Sequence, residues 1–218
     1  MTSYILEVTS IFPLSKNKPR QAIILCHGYG GDGKNISALA INWQRFLPDA
    51  IFLCPNAPEV CVVNPQGYQW FDLTSEKKEI ILEKSLIAEE KLNTFLDQVF
   101  DNFQLEPSSI ALVGFSQGCM IGIQVGLKKK EQINCLIGYS GKVINQEHLS
   151  DNINSKPKMF LMHGANDTIV PPTHLLEAKE YLKKYGINTK TKMFKNCEHK
   201  IPIEGSSLGL AFLKKNLL

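Results

Sequence analysis

The chain has 218 residues, 44% of them apolar and 21% charged, the profile of an ordinary globular protein with a sizeable core. Lys and Arg number 24 against 21 Asp and Glu, and a net charge of +3 is too small to argue for nucleic acid or an anionic membrane as partner. No apolar run approaches the ~18 residues of a membrane span, and Met1–Glu7 lacks the features of a secretory signal, so one cytoplasmic domain over 1–218 is expected.

Residues 1–20 read as an irregular lead-in, with an edge strand over Ile5–Val8. Ala22–Cys26 is a continuous apolar run, the mark of a strand buried on both faces. It leads into a glycine-rich loop, His27-Gly28-Tyr29-Gly30-Gly31-Asp32-Gly33. Ile36, Leu39, Ala40, Trp43, Phe46 and Leu47 then follow a helical period, which Pro48 stops. Ile51–Cys54 is a second buried strand. Residues 56–75 show neither period, yet carry Val60, Val62, Tyr68, Trp70, Phe71 and Leu73; a long apolar loop of this kind is expected to border a site.

Thr74 or Ser75 is expected to cap a long amphipathic helix from Glu76 to Phe103. Ile110–Val113 is a third buried strand, followed by Gly114-Phe115-Ser116-Gln117-Gly118 and a helix whose core face includes Met120 and Ile123. Lys128-Lys129-Lys130 falls at that helix's end, where cations pair with the helix dipole and aid solubility. Strands at 135–139 and 159–162, a polar connector around Asn145–His148, a helix at 173–185, an edge strand at 188–194 and a helix at 204–217 complete the chain. This alternation predicts an α/β fold with a mainly parallel sheet and helices on both faces. In such a fold the site lies beyond the carboxyl ends of the strands.

Strand, G-x-S-x-G and helix in that order form a turn that exposes a serine at the end of a sheet. Glycines two before and two after Ser116 are needed because a Cβ there would strike neighbouring backbone. A serine nucleophile requires a base, usually a histidine oriented by a carboxylate, in the order Ser, acid, His. Of the five histidines, His199 alone follows the last strand in the right order; His27 reads as shaping the glycine loop and His163 as a packed loop residue. Asp167 leaves the carboxyl end of the strand near Met162, which favours it over Asp151 and Glu198 as the acid. The two oxyanion donors are expected from the N–H of Gln117, at a helix N-terminus, and of Tyr29, in the glycine loop. No metal or organic cofactor is expected. The six cysteines have no zinc-like spacing and read as reduced thiols.

With these residues in place, the chain resembles the phospholipase/carboxylesterase family of serine hydrolases, which includes acyl-protein thioesterases. The resemblance rests on Leu25–Gly33, Pro55–Glu59, Gln69-Trp70-Phe71, Gly114–Gly118 and His163-Gly164-x-x-Asp167-x-x-Val170-Pro171. It implies an α/β-hydrolase fold without a large cap domain, acting on acyl esters, thioesters or lysophospholipids. It also implies that Trp70, Phe71 and Val170 sit on the substrate side, although Trp70 and Phe71 also read as plain core. Cys119 departs from the small residue common in the family. An acyltransferase using the same groups, a non-catalytic binding protein and a homodimer remain open at this point.

Overall fold

The computed structural model describes residues 4–74 and 77–218. The elements of the first half are β1 (Val8–Ile11), β2 (Gln21–Cys26), α1 (Gly33–Trp43), β3 (Ala50–Pro55), β4 (Glu59–Val60), β5 (Tyr68–Gln69) and α2 (Lys78–Phe103). Those of the second half are β6 (Ile110–Phe115), α3 (Gln117–Lys128), β7 (Cys135–Tyr139), α4 (Gln146–Ser150), β8 (Lys158–Gly164), α5 (Thr173–Lys184), β9 (Thr189–Phe194) and α6 (Ile203–Leu217). Seven strands form one sheet in the order β1-β3-β2-β6-β7-β8-β9. Only β1 runs antiparallel to its neighbour.

The unbroken apolar runs are explained by burial on both faces. In β2, Ile23 and Leu25 pack with Trp43 of α1 and Leu213 of α6. Its alternate residues Ala22, Ile24 and Cys26 pack with Leu92 and Phe95 of α2 and Ile123 of α3. Each fully buried aliphatic side chain contributes about 1.5–3 kcal/mol relative to exposure. Register follows from the same pattern: Ala22 lies opposite Ile51 on one side and Ile110 on the other.

Four expectations need correction. The edge strand begins at Val8, opposite Pro55, because Leu6 turns into the core while the half-buried Val8–Ile11 pairs with β3. Segment 56–74 is not structureless: β4 and β5 pair Glu59 with Gln69, and Tyr68 bridges to Gly31. Two-residue strands are too short to show a period. The connector after β7 holds the short helix α4. Helix α2 begins at Lys78, and Thr74 donates to Asp72 Oδ2 at 2.6 Å; Ser75 and Glu76 lie outside the described residues.

The lysines ending α3 do more than meet solvent. Lys128 Nζ lies 2.6 Å from Glu89 Oε2 and Lys129 Nζ 2.5 Å from Asp97 Oδ1, so both tie α3 to α2. Lys129 also sits over the Phe100 ring. Burial raises the pKa of Glu89, and the Lys128 ammonium works against that rise.

Candidate active site

Ser116 stands between β6 and α3 with φ 52° and ψ −116°, a region costly for any residue with a Cβ. The turn is over-determined by its surroundings. Ser116 N–H donates to Tyr139 O on β7 at 2.8 Å, and Ser116 O accepts from Cys119 N–H at 3.0 Å. A Cβ at Gly114 would lie 2.4 Å from Gly118 O, and one at Gly118 would lie 2.2 Å from Cys26 O. The two glycines therefore let α3 start directly against the ends of β6 and β2. Gln117 is the first residue of α3, so its N–H has no partner within the helix.

Two loops bring a histidine and an aspartate to the serine. Asp167 follows β8, His199 follows β9, and the loops are held together by Ala165 N–H to Phe194 O and Asn166 N–H to Cys197 O, each 2.9 Å. Gly164 makes this approach possible, since a Cβ there would lie 2.3 Å from Cys197 O. His199 Nε2 is 3.0 Å from Ser116 Oγ, and His199 Nδ1 is 2.8 Å from Asp167 Oδ2. The Phe115 ring packs on the imidazole at 4.9 Å. The other Asp167 oxygen accepts from Ile169 N–H and Val170 N–H. Burial pushes the Asp167 pKa up, but the bonds from Val170 N–H, His199 and Ile169 N–H outweigh it and hold the carboxyl below its usual range. A carboxylate facing Nδ1 fixes the tautomer that leaves Nε2 free to accept the serine proton.

His163 has a closer connection to this arrangement than its loop position suggested. It is buried, with Nε2 2.8 Å from Val170 O and 3.3 Å from Asp167 Oδ2. Burial lowers its pKa, so a neutral ring supports the loop that carries Asp167. His27 shapes the glycine loop: its Nε2 accepts from Ala57 N–H at 3.0 Å, so Nδ1 carries the proton given to Gly28 O at 2.7 Å. Burial lowers the His27 pKa as well.

Trp70 and Phe71 follow the plain-core alternative. They are 1% and 0% exposed and belong to the core beneath the serine turn. Gln117 Nε2 donates to Phe71 O at 2.6 Å, and Gln117 Oε1 accepts from Trp70 N–H at 2.9 Å. The Trp70 indole donates to His27 O at 2.9 Å. The serine turn, the Trp-Phe segment and the glycine loop are thus one hydrogen-bonded unit. A segment without a period left both the substrate-side and the core reading open for these rings.

A cleft of about 310 Å³ opens on Ser116 and His199. Tyr29, Leu73, Met120, Ile169, Val170 and Lys142 contribute to its walls. Val170 was expected there; Met120, read as core, is buried but also reaches the cleft. Leu73 belongs to the apolar segment expected to border a site; Ile169 and Lys142 carry no such signal, although Lys142 follows the carboxyl end of β7, where this architecture puts its site. The Tyr29 phenol, beside Cys61 and Leu73, is pushed up to about 12, chiefly by burial. A second groove of about 440 Å³ shares Gly28, Tyr29, Phe115 and His199 with the cleft and extends along Ile36 and Leu39 of α1 to Ile201, without reaching Ser116.

Cys119 is accommodated behind the serine by two glycines. A Cβ at Gly138 would lie 2.3 Å from its sulfur, and one at Gly141 would lie 2.5 Å away. All six cysteines are free and buried. Among the described residues no three His, Cys, Asp or Glu side chains converge as metal ligands do, and no helix is long and apolar enough to cross a membrane.

Comparison with known proteins assigns the chain a family. The phospholipase/carboxylesterase model matches residues 10–217. An acyl-protein thioesterase 1 from Aspergillus fumigatus is 29% identical over 219 residues, covering 91% of this chain and 88% of that protein. Esterase YpfH of Escherichia coli is 22% identical over 206 residues, covering 92% and 85%. The crystal structure of esterase PE8 superposes with a TM-score of 0.92 at 34% identity, covering 97% of this chain and 99% of that one. The chain belongs to the phospholipase/carboxylesterase family and is a serine hydrolase of carboxylesterase type on the α/β-hydrolase fold, with no cap domain among the described residues.

Proposed function

We propose that the chain hydrolyses small acyl esters through an acyl-serine intermediate, with Ser116 as nucleophile, His199 as base and Asp167 as the orienting acid. The observation that carries this reading is the run of bonds from Ser116 Oγ to His199 Nε2 at 3.0 Å and from His199 Nδ1 to Asp167 Oδ2 at 2.8 Å. As Ser116 Oγ bonds to the carbonyl carbon, its proton passes to His199 Nε2. The carbonyl π pair moves onto oxygen, which the N–H groups of Tyr29 and Gln117 receive. Each such donor is worth about 2.7–4 kcal/mol in the transition state. The pair then returns, the bond to the leaving oxygen breaks, and His199 protonates that oxygen. Water, deprotonated by His199, adds to the acyl carbon, and the acid departs as Ser116 regains its proton.

The cleft that contains Ser116 is taken as the acyl site, and the groove that touches His199 but not Ser116 as the leaving-group side. A volume of about 310 Å³ is near the small end of ligand pockets and favours short acyl groups. Thioesters are a second reading, favoured by relatives named acyl-protein thioesterase 1.

A fluorophosphonate probe followed by intact-mass and peptide analysis tests the assignment. Labelling at Ser116, with loss of ester turnover in Ser116→Ala, is the expected result. Folded protein that takes no label, or Ser116→Ala that still turns over, would remove Ser116 from the mechanism. Matched oxygen esters and thioesters then separate the two readings.

A further inference from the structure

Building on the serine-esterase reading, we propose that Lys142 is a specificity-determining residue that selects acyl groups carrying a distal carboxylate. The root of this side chain is fixed. Ser140 adopts φ 48° at the end of β7 and turns the chain there, and its N–H donates to Met162 O at 2.8 Å. Gly141 passes close behind the nucleophile, where a Cβ would lie 3.2 Å from Ser116 O. Val143 and Ile144 are buried, and Ile144 O accepts from Gln124 Nε2 at 2.6 Å. Lys142 therefore leaves a rigid backbone and enters the wall of the cleft that holds Ser116.

Its ammonium has no internal counterpart. Among the described residues no carboxylate lies within ion-pair distance of Lys142, and no Asp or Glu lines the cleft. Asp167 is 4% exposed and occupied by His199 and two backbone N–H groups. His174, also in the wall, is bound to Glu177 at 2.7 Å. The rest of the cleft wall is largely apolar and includes Leu73, Met120, Ile169 and Val170. An unpaired cation in a largely apolar cleft is matched by an acyl chain with an apolar middle and an anionic end. Lysine suits this task as a point charge on a flexible stem, able to reach carboxylates at slightly different depths.

The test compares mono-4-nitrophenyl glutarate with neutral 4-nitrophenyl pentanoate, which share the leaving group. The readout is the ratio of kcat/KM for the anionic ester to that for the neutral one. Lys142→Met keeps the stem and removes the charge, and the ratio should fall about tenfold, the size of one charge-assisted hydrogen bond at a partly exposed position. Lys142→Glu should lower it further, Lys142→Arg should restore most of it, and added salt should compress the wild-type ratio. The change should fall mainly on KM. A ratio that moves by less than about twofold in both Lys142→Met and Lys142→Glu overturns the proposal. Ser116→Ala keeps the two readings apart: turnover of both esters by that variant would sink the serine mechanism, whereas its inactivity beside an unchanged Lys142 ratio would sink only the carboxylate selection.

Discussion

The Gln117 side chain offers a sharp test of how the site is held together. Its amide gives a proton to Phe71 O at 2.6 Å and takes one from Trp70 N–H at 2.9 Å, with all these groups buried. Gln117→Glu preserves shape and volume. The carboxylate still accepts from Trp70 N–H but meets Phe71 O oxygen to oxygen. One unmade buried hydrogen bond costs about 1–3 kcal/mol, and more when a charge is involved, so a loss of about 3 kcal/mol is expected above neutral pH. At 2–4 °C per kcal/mol for a chain of this size, that lowers Tm by about 6–12 °C. Burial and the Phe71 carbonyl raise the folded pKa of this glutamate above its unfolded value of about 4.3. A group with a raised folded pKa contributes stability below the unfolded pKa and loses it as pH rises through the folded one. The deficit of Gln117→Glu against wild type should therefore shrink between about pH 8 and about pH 5. Urea unfolding of both proteins at the two pH values reads this directly. An equal deficit at both, or one below about 0.5 kcal/mol, would refute the clamp.

Other outcomes follow from the geometry around the serine. Ser116→Gly should abolish ester turnover yet stabilise the fold by about 1 kcal/mol by relieving φ 52°, whereas Ser116→Ala should be inactive without that gain; denaturant midpoints compare them. Asp167→Asn should lower kcat about 10³–10⁴-fold in a steady-state ester assay. Because the Asp167 pKa is depressed in the fold, its stabilisation is present above the unfolded value and lost as pH falls; the variant's stability should be flatter below about pH 4 in acid unfolding. Gly138→Ala should cost about 1–3 kcal/mol through its clash with Cys119 sulfur, and Cys119→Ala should recover much of that loss in a double-mutant cycle.

The central strands were legible because burial on both faces writes itself as unbroken apolar runs such as Ala22–Cys26 and Ile110–Val113. Ser116, Asp167 and His199 could be brought together on paper because each follows a strand of one parallel sheet, and such a sheet presents its carboxyl ends on one side. Sequence reading failed where orientation decides. Trp70 and Phe71 sit in a segment without period, which left a core and a substrate-side placement both open; their bonds to Gln117, and that of the Trp70 indole to His27 O, hold them inward. Lys128 and Lys129 resembled a solvated run because nothing local announces Glu89 and Asp97 on another helix. The start of β1 was misjudged because a half-buried edge strand has no apolar face of its own to declare it.

The pairing of β2 with β6 has a consequence in time. Ala22 meets Ile110 only after the chain between them has been gathered aside, so the loop-closure cost precedes the reward. That same pairing joins the glycine loop after β2 to the serine turn after β6, as the fit of Gly118 against Cys26 O requires. The glycine loop and the serine turn therefore cannot meet in a chain whose central strands are still apart. The proposed site is thus expected to form only with the closed sheet, and a chain nicked so as to lose this one junction should keep its helices but show no ester turnover.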